Sequence, residues 1–241
     1  MDYGENFIIR GSNALQNRIF IGFNVILFLV FGVSHIESQI NPLSYNEKNL
    51  TIGAFKTPVQ IPKDYVLEML VGGLRSPRMI TFNEIGDLFI GSGSGIIYRL
   101  ESPYTVAKEL VRLSKYPHSV AFRNNEILIA QTDGLYRASY RSGQANIVKS
   151  SVELFLPLPG GFGGHNSRTV RISKNGLIYV SLGITGNCSN QYLGSGYPFT
   201  SQRGGVFVLK DEGLETMKWH PFASGLRNPV DFAWHPVTDV M

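Results

Sequence analysis

An all-β fold of short, repeated antiparallel strands is what this sequence predicts, and three observations predict it. The first is composition. Of 241 residues, 26 are glycine and 12% are aromatic, while only 17% are charged. A charged share well under the usual ~25% argues against a disordered tail, a coiled coil or a long-helix bundle. Glycine with aromatic and β-branched residues is instead the make-up of strands joined by tight turns. The second observation is self-similarity. Four segments share one layout, PRMITFNEIGDLFIG (77–91), PHSVAFRNNEILIAQ (117–131), SRTVRISKNGLIYVS (167–181) and PVDFAWHPVTDVM (229–241). The third is a phrase used twice: Gly73-Leu74-Arg75-Ser76-Pro77 and Gly225-Leu226-Arg227-Asn228-Pro229 open two of these segments.

Each unit reads as a turn, an alternating strand, a tight turn and a second strand. Ile80/Phe82, Val120/Phe122, Val170/Ile172 and Phe232/Trp234 occupy matching inward positions. Gly86, Asn124-Asn125 and Asn175-Gly176 stand where a hairpin turn is needed. Further strands are expected over Ile96–Leu100, Gly134–Tyr140 and Gly205–Leu209. Units of about 40–60 residues built from short antiparallel strands are the signature of β-propeller blades. A β-sandwich with coincidental spacing is the competing reading, but a sandwich would not ordinarily reuse GLRxP at the same place in two units. The expectation is a propeller of about three blades plus the start of a fourth. Because the fourth unit stops inside its hairpin, and a ring needs at least four blades, the chain is expected to be a truncated piece of a longer protein.

The first 60 residues read differently. Ile19 to Val33, IFIGFNVILFLVFGV, is apolar apart from Gly22, Asn24 and Gly32, with Arg10 and Arg18 ahead of it. Such a run suits a signal-peptide core or a marginal membrane anchor, with Gly32 and Ser34 as small residues near a cleavage point. A buried core helix is the competing reading. The division expected is 1–36 signal peptide or anchor, 37–60 linker and 61–241 partial propeller, acting outside the cytoplasm, with membrane contact through residues 19–33. Cys188 is the one cysteine, so no intrachain disulfide forms. Asn49-Leu50-Thr51 and Asn187-Cys188-Ser189 match the glycosylation tripeptide, a short pattern common by chance. The balance of 22 basic against 18 acidic residues, without a basic cluster, gives no nucleic-acid groove.

Two glycine-rich stretches invite a phosphate-loop reading. Gly91-Ser92-Gly93-Ser94-Gly95 leads into the strand IIYRL and Pro159–Gly164 precedes no Walker-type lysine, so neither feeds a helix N-terminus. The first reads as a flexible hairpin loop. The second ends in His165-Asn166-Ser167-Arg168. A histidine on a glycine-rich loop at the start of an inner strand faces a propeller's central channel, and imidazole takes a proton from an alcohol near neutral pH. A surface or structural role is the bland alternative.

At these residues a resemblance enters. GGHNSRTVRISKNGLIYVSLG (163–183) followed by ASGLRNPVDFAWHPVTDVM (223–241) resembles the soluble quinoprotein sugar dehydrogenases, most nearly their sorbosone and pyranose dehydrogenase branch. Residues 72–91 and 111–136 resemble the family's first blades more loosely, and about 60–241 is covered, the first half or so of a six-bladed propeller.

The resemblance implies an oxidoreductase that uses pyrroloquinoline quinone (PQQ) to oxidise a sugar hydroxyl or aldehyde hydrate and passes electrons to an acceptor. It implies that His165 is the general base and that Arg227 and Asn228 contact the quinone oxygens, where a guanidinium stabilises charge as it builds. Arg168 is a further cofactor candidate through the cofactor carboxylates, with a structural bond to the neighbouring blade as its competing role. His118, at an equivalent blade start, is a candidate for lining the same channel. Calcium is implied as well, but Asp231 and Asp239 are isolated and its ligands are expected beyond residue 241. The alternative from another class is a non-catalytic propeller that binds a protein or glycan, since fold alone does not choose.

Overall fold

The computed structural model describes residues 5–11, 43–159, 164–187, 204–211 and 217–241, residues 5–11 by their backbone alone. The apolar run Ile19–Val33, the cleavage residues Gly32 and Ser34, and Cys188 lie outside the described residues. Among the described residues no helix is long and apolar enough to cross a membrane.

The chain divides into two compact units, one running to Leu70 and the other from Val71 to Met241. In the first, strand β1 (Glu5–Gly11) pairs with β4 (Tyr65–Gly72). Strands β2 (Tyr45–Ile52) and β3 (Phe55–Pro62) form an antiparallel hairpin. Its turn is closed by Gly53, whose φ of +56° suits glycine. Part of the segment expected as a linker is therefore ordered sheet. Its strands are mostly exposed on both faces, so it lacks the apolar alternation by which a strand is read from sequence.

The second unit holds three four-stranded antiparallel sheets, each in simple up-and-down order. The first blade comprises β5 (Pro77–Phe82), β6 (Leu88–Ser92), β7 (Ile96–Leu100) and β8 (Lys108–Arg112). The second comprises β9 (Ser119–Arg123), β10 (Glu126–Gln131), β11 (Gly134–Ser139) and β12 (Glu153–Pro157). The third comprises β13 (Val170–Ile172), β14 (Ile178–Leu182), β15 (Gly205–Asp211) and β16 (Met217–Ser224). The turns fall where expected: Gly86 and Gly176 take φ of +84° and +81°, and Asn124-Asn125 take +45° and +59°, a left-handed pair suited to a two-residue hairpin.

The middle strands are buried, and the second blade packs against both of the others. Phe89, Ile97 and Leu110 of the first blade pack with Val120, Ile127 and Ile129 of the second. Phe89, Phe122 and Tyr140 cluster there with ring centroids 4.6 to 5.8 Å apart. The opposite face of the second blade packs Ala121, Leu128 and Leu135 against Val170, Val180 and Phe207 of the third. The inner strands are also tied by polar links. Thr81 Oγ1 donates to Val120 O at 2.9 Å, and Ser119 Oγ donates to Arg168 O at 2.9 Å while accepting from Val170 N at 2.8 Å.

Two expectations are corrected. Ile80 and Phe82 are 45% and 54% exposed, unlike their counterparts Val120 and Val170. The first blade has no preceding blade within its unit to cover that face. The segment 229–241 forms no strand; it is irregular to His235 and then turns, with Asp239 N bonding His235 O at 2.9 Å. Phe232 and Trp234 still point inward, onto Tyr179, Val206 and Val208 of the third blade. Side-chain burial has placed the segment, but among the described residues no strand completes its ladder.

Candidate active site

In this up-and-down order, the turns between second and third strands leave the sheets at the same end as the connections from one blade to the next. His118, His165 and Arg168 lie on blade-to-blade connections, and Arg227 and Asn228 follow the last strand of the third blade, so the topology gathers all five at one end of the unit.

His165, Arg227 and Asn228 are brought together by the residues that follow β14. Nδ1 of His165 lies 3.0 Å from Ile184 O. A carbonyl only accepts, so Nδ1 carries the proton and the lone pair of the neutral ring is on Nε2. The Ile184 N–H in turn donates to Arg227 O at 2.9 Å. Beside it, Gly183 is required: a Cβ there would stand 2.4 Å from His165 Cβ, 2.5 Å from His165 O and 3.0 Å from Asn228 Oδ1. The histidine loop and the asparagine thus approach the same backbone from two sides. Asn228 Oδ1 is buried and lacks a hydrogen-bond partner within the chain. The exposed Arg227 is held along one edge of its guanidinium, where Nε donates to Asn187 O at 2.6 Å and Nη2 to Asn187 Oδ1.

The Arg227–Asn228 segment is anchored to the third blade. Arg171 pairs with Asp231 through Nη2–Oδ2 at 2.6 Å and Nε–Oδ1 at 3.1 Å, and Thr169 Oγ1 donates to Val230 O. Asp231, isolated in sequence, is thus an ion-pair partner.

Arg168 and His118 are placed otherwise. Arg168 is fully buried. Its guanidinium donates to the carbonyls of Ser167 (2.8 Å), Pro159 (3.0 Å) and His165 (3.2 Å). Burial pushes its pKa down to about 10. The carbonyl bonds shape the His165 loop and give Arg168 a structural role in place of the expected grip on a cofactor, although its buried Nε has no hydrogen-bond partner. His118 is fully buried, with its ring 4.1 Å from that of Tyr116 and Nε2 3.5 Å from Thr132 Oγ1. Desolvation first, then the charges of Arg168 and Arg78, push its pKa down to about 3. It is a neutral packing residue rather than one lining an open channel.

Sequence reasoning missed Ile184 and Asn187. Ile184 acts through its backbone, which no residue type signals; Asn187 was noticed only within a glycosylation tripeptide. Gly183 acts through the Cβ it lacks, a requirement that only the close approach of the His165 loop reveals. Among the described residues no group of three or more His, Cys, Asp or Glu side chains is placed to hold a metal.

Fold and site together define a β-propeller protein whose loops assemble a histidine, an arginine and an asparagine at one end. The chain belongs to the TrAA12-like family, whose sequence profile matches residues 59–241. It is 26% identical over 206 residues to a Borreliella burgdorferi protein described as uncharacterized, covering 79% of this chain and 50% of that one. The chain therefore spans about half the length of the curated relative it matches. Among solved structures, a Thermus thermophilus oxidoreductase described as a glucose dehydrogenase is similar with a TM-score of 0.53 at 19% identity, over 71% of this chain and 58% of that one. That likeness bears on the fold. The PQQ domain of a pyranose dehydrogenase from Coprinopsis cinerea is similar with a TM-score of 0.46 at 21% identity, over 58% of this chain and 34% of that one.

Proposed function

We propose that this propeller oxidises a sugar hydroxyl or aldehyde hydrate with PQQ as the oxidant and His165 as the general base. The observation that carries the reading is the His165–Ile184 bond, which fixes the tautomer with Nε2 basic, beside an asparagine and an arginine with few other roles to play. Family membership and the sugar dehydrogenases among the structural neighbours support it.

The residues present suit a planar, anionic, oxygen-rich group. Asn228 Oδ1 has no hydrogen-bond partner within the chain, and an amide whose orientation is assigned from its partners can turn its NH₂ towards a ligand oxygen. Arg227 would supply the cation that stabilises oxygen charge as it develops. When bound, PQQ would accept the hydride that leaves the sugar carbon. His165 Nε2 takes the proton from the substrate hydroxyl, so one hydride and one proton leave the alcohol and a carbonyl remains. The Ile184 carbonyl steadies the imidazolium that results, through the Nδ1 hydrogen bond. The described residues offer no carboxylate group fitted to calcium, so no step is drawn through a metal. A location outside the cytoplasm, which the Ile19–Val33 run supports, is part of the same proposal.

The test is sugar-dependent reduction of an artificial electron acceptor by the full-length protein after reconstitution with PQQ. Turnover that appears only with PQQ supports the reading. A protein that binds no PQQ, or reduces the acceptor equally without sugar, overturns it.

A further inference from the structure

The GSGSG stretch, Gly91–Gly95, has a purpose beyond that of a hairpin loop. A Cβ at Gly91 would stand 2.2 Å from His118 O, one at Gly93 2.1 Å from the Tyr116 ring, and one at Gly95 2.3 Å from Leu113 O. Each alternate residue must be glycine for the 113–118 connection to lie directly on this loop. The connection is itself unusual, since Tyr116 holds a φ of +61°, a conformation that costs a non-glycine residue energy and persists only where its surroundings enforce it.

Close packing here leaves a cleft of about 300 Å³ walled by the 93–95 loop, Leu113, Ser114, Tyr116 and Asn166. It opens at the end of the unit where His165 lies, and Asn166 follows His165 in the chain. Its side-chain polar groups are hydroxyls and an amide, and among the described residues its lining carries no carboxylate. Arg78 Nε donates to Tyr116 OH at 2.7 Å. With its oxygen so engaged, the phenol has its own O–H to donate, polarised by the guanidinium. Ser94 Oγ is oriented by Arg75 O at 3.1 Å and Ser92 Oγ at 2.9 Å.

From this we infer that the Ser94–Ser114–Tyr116–Asn166 cleft is the subsite that holds the sugar, recognising a neutral polyhydroxylated ring through an aromatic wall and uncharged hydrogen-bonding groups. The choice of a sugar rests on the proposed function; the cleft and its chemistry do not. An apolar wall with a few placed polar groups is how small-ligand sites combine affinity with orientation.

The experiment is saturation-transfer difference NMR on the quinone-free full-length protein, with D-glucose, D-galactose, D-xylose and L-fucose as probes. Ser114→Trp, at an exposed position, fills the cleft without touching the core; Asn166→Ala removes one polar group. We expect at least one sugar to bind, with affinity lowered about tenfold or more by Ser114→Trp and several-fold by Asn166→Ala, the scale of one or two lost hydrogen bonds. No binding by any probe, or binding unchanged in both variants, overturns the inference. Binding that behaves as expected in a protein that oxidises no sugar with PQQ would leave the subsite standing and sink the proposed activity. Oxidation whose KM ignores both variants would do the reverse.

Discussion

His165 and Arg227 are joined through one residue. The carbonyl of Ile184 accepts from His165 Nδ1 at 3.0 Å, and its N–H donates to Arg227 O at 2.9 Å. The proposed base and the proposed cation come from connections about 60 residues apart in sequence, yet their relative position depends on one peptide segment and on Gly183 before it. A change in that segment should therefore disturb both.

His165→Ala in the full-length protein should lower turnover roughly 10²–10⁴-fold, the usual scale for a general base. Affinity for PQQ should change little, because imidazole adds no charge complementarity. Steady-state kinetics at saturating PQQ checks this; wild-type turnover in the variant would remove His165 from the mechanism.

Asn187→Ala should weaken PQQ binding several-fold while leaving the pH profile of turnover in place. Asn187 touches Arg227 through both its carbonyl and its side chain, and an arginine released from half of that hold loses rotamer freedom on binding instead of beforehand. Arg227→Lys should cost more, since an ammonium lacks the planar fork. Fluorescence titration with PQQ ranks the two variants.

Gly183→Ala should destabilise the fold by about 1–3 kcal/mol, the range for overpacking a tight site. The new methyl would meet His165 Cβ and O within 2.5 Å. Chemical denaturation measures the loss, and an unchanged midpoint would show that the loop yields freely.

Arg168→Met should cost about 2–5 kcal/mol of stability, because three carbonyls would lose a buried charged donor. Its residual folded fraction should bind PQQ as tightly as the wild type. Weakened binding at full stability would restore Arg168 as a cofactor ligand.

His118 predicts a pH dependence. Its folded pKa, about 3, lies below the ordinary 6.5, so between these values the unfolded chain binds the extra proton. Stability from this residue is complete above about pH 6.5 and falls as pH drops towards 3, by up to roughly 1.4 kcal/mol per pH unit. The neutral variant His118→Phe should flatten that slope. Urea denaturation of both proteins at pH 4.5 and pH 6.5 gives the comparison, and equal slopes would refute it.

Local patterns marked the inner strands and turns of the blades. The period-two apolar pattern at Val120/Phe122 and Val170/Ile172, with the turns at Gly86, Asn124-Asn125 and Asn175-Gly176, is local information, because side-chain alternation and left-handed backbone are properties of short segments. The resemblance also singled out His165, Arg227 and Asn228, which the tertiary structure gathers around Gly183. The outer strands β8, β12 and β16 were illegible, since a strand at a blade's rim has exposed charged residues where a core strand would alternate. Only tertiary packing decided which site candidates are available to a ligand. Arg168 and Arg227 are the same residue type, each following the last strand of a blade, yet one is fully buried with its terminal nitrogens on backbone carbonyls while the other is exposed and held along one edge of its guanidinium. Burial is a property of what other blades place around a residue, and no local pattern encodes it.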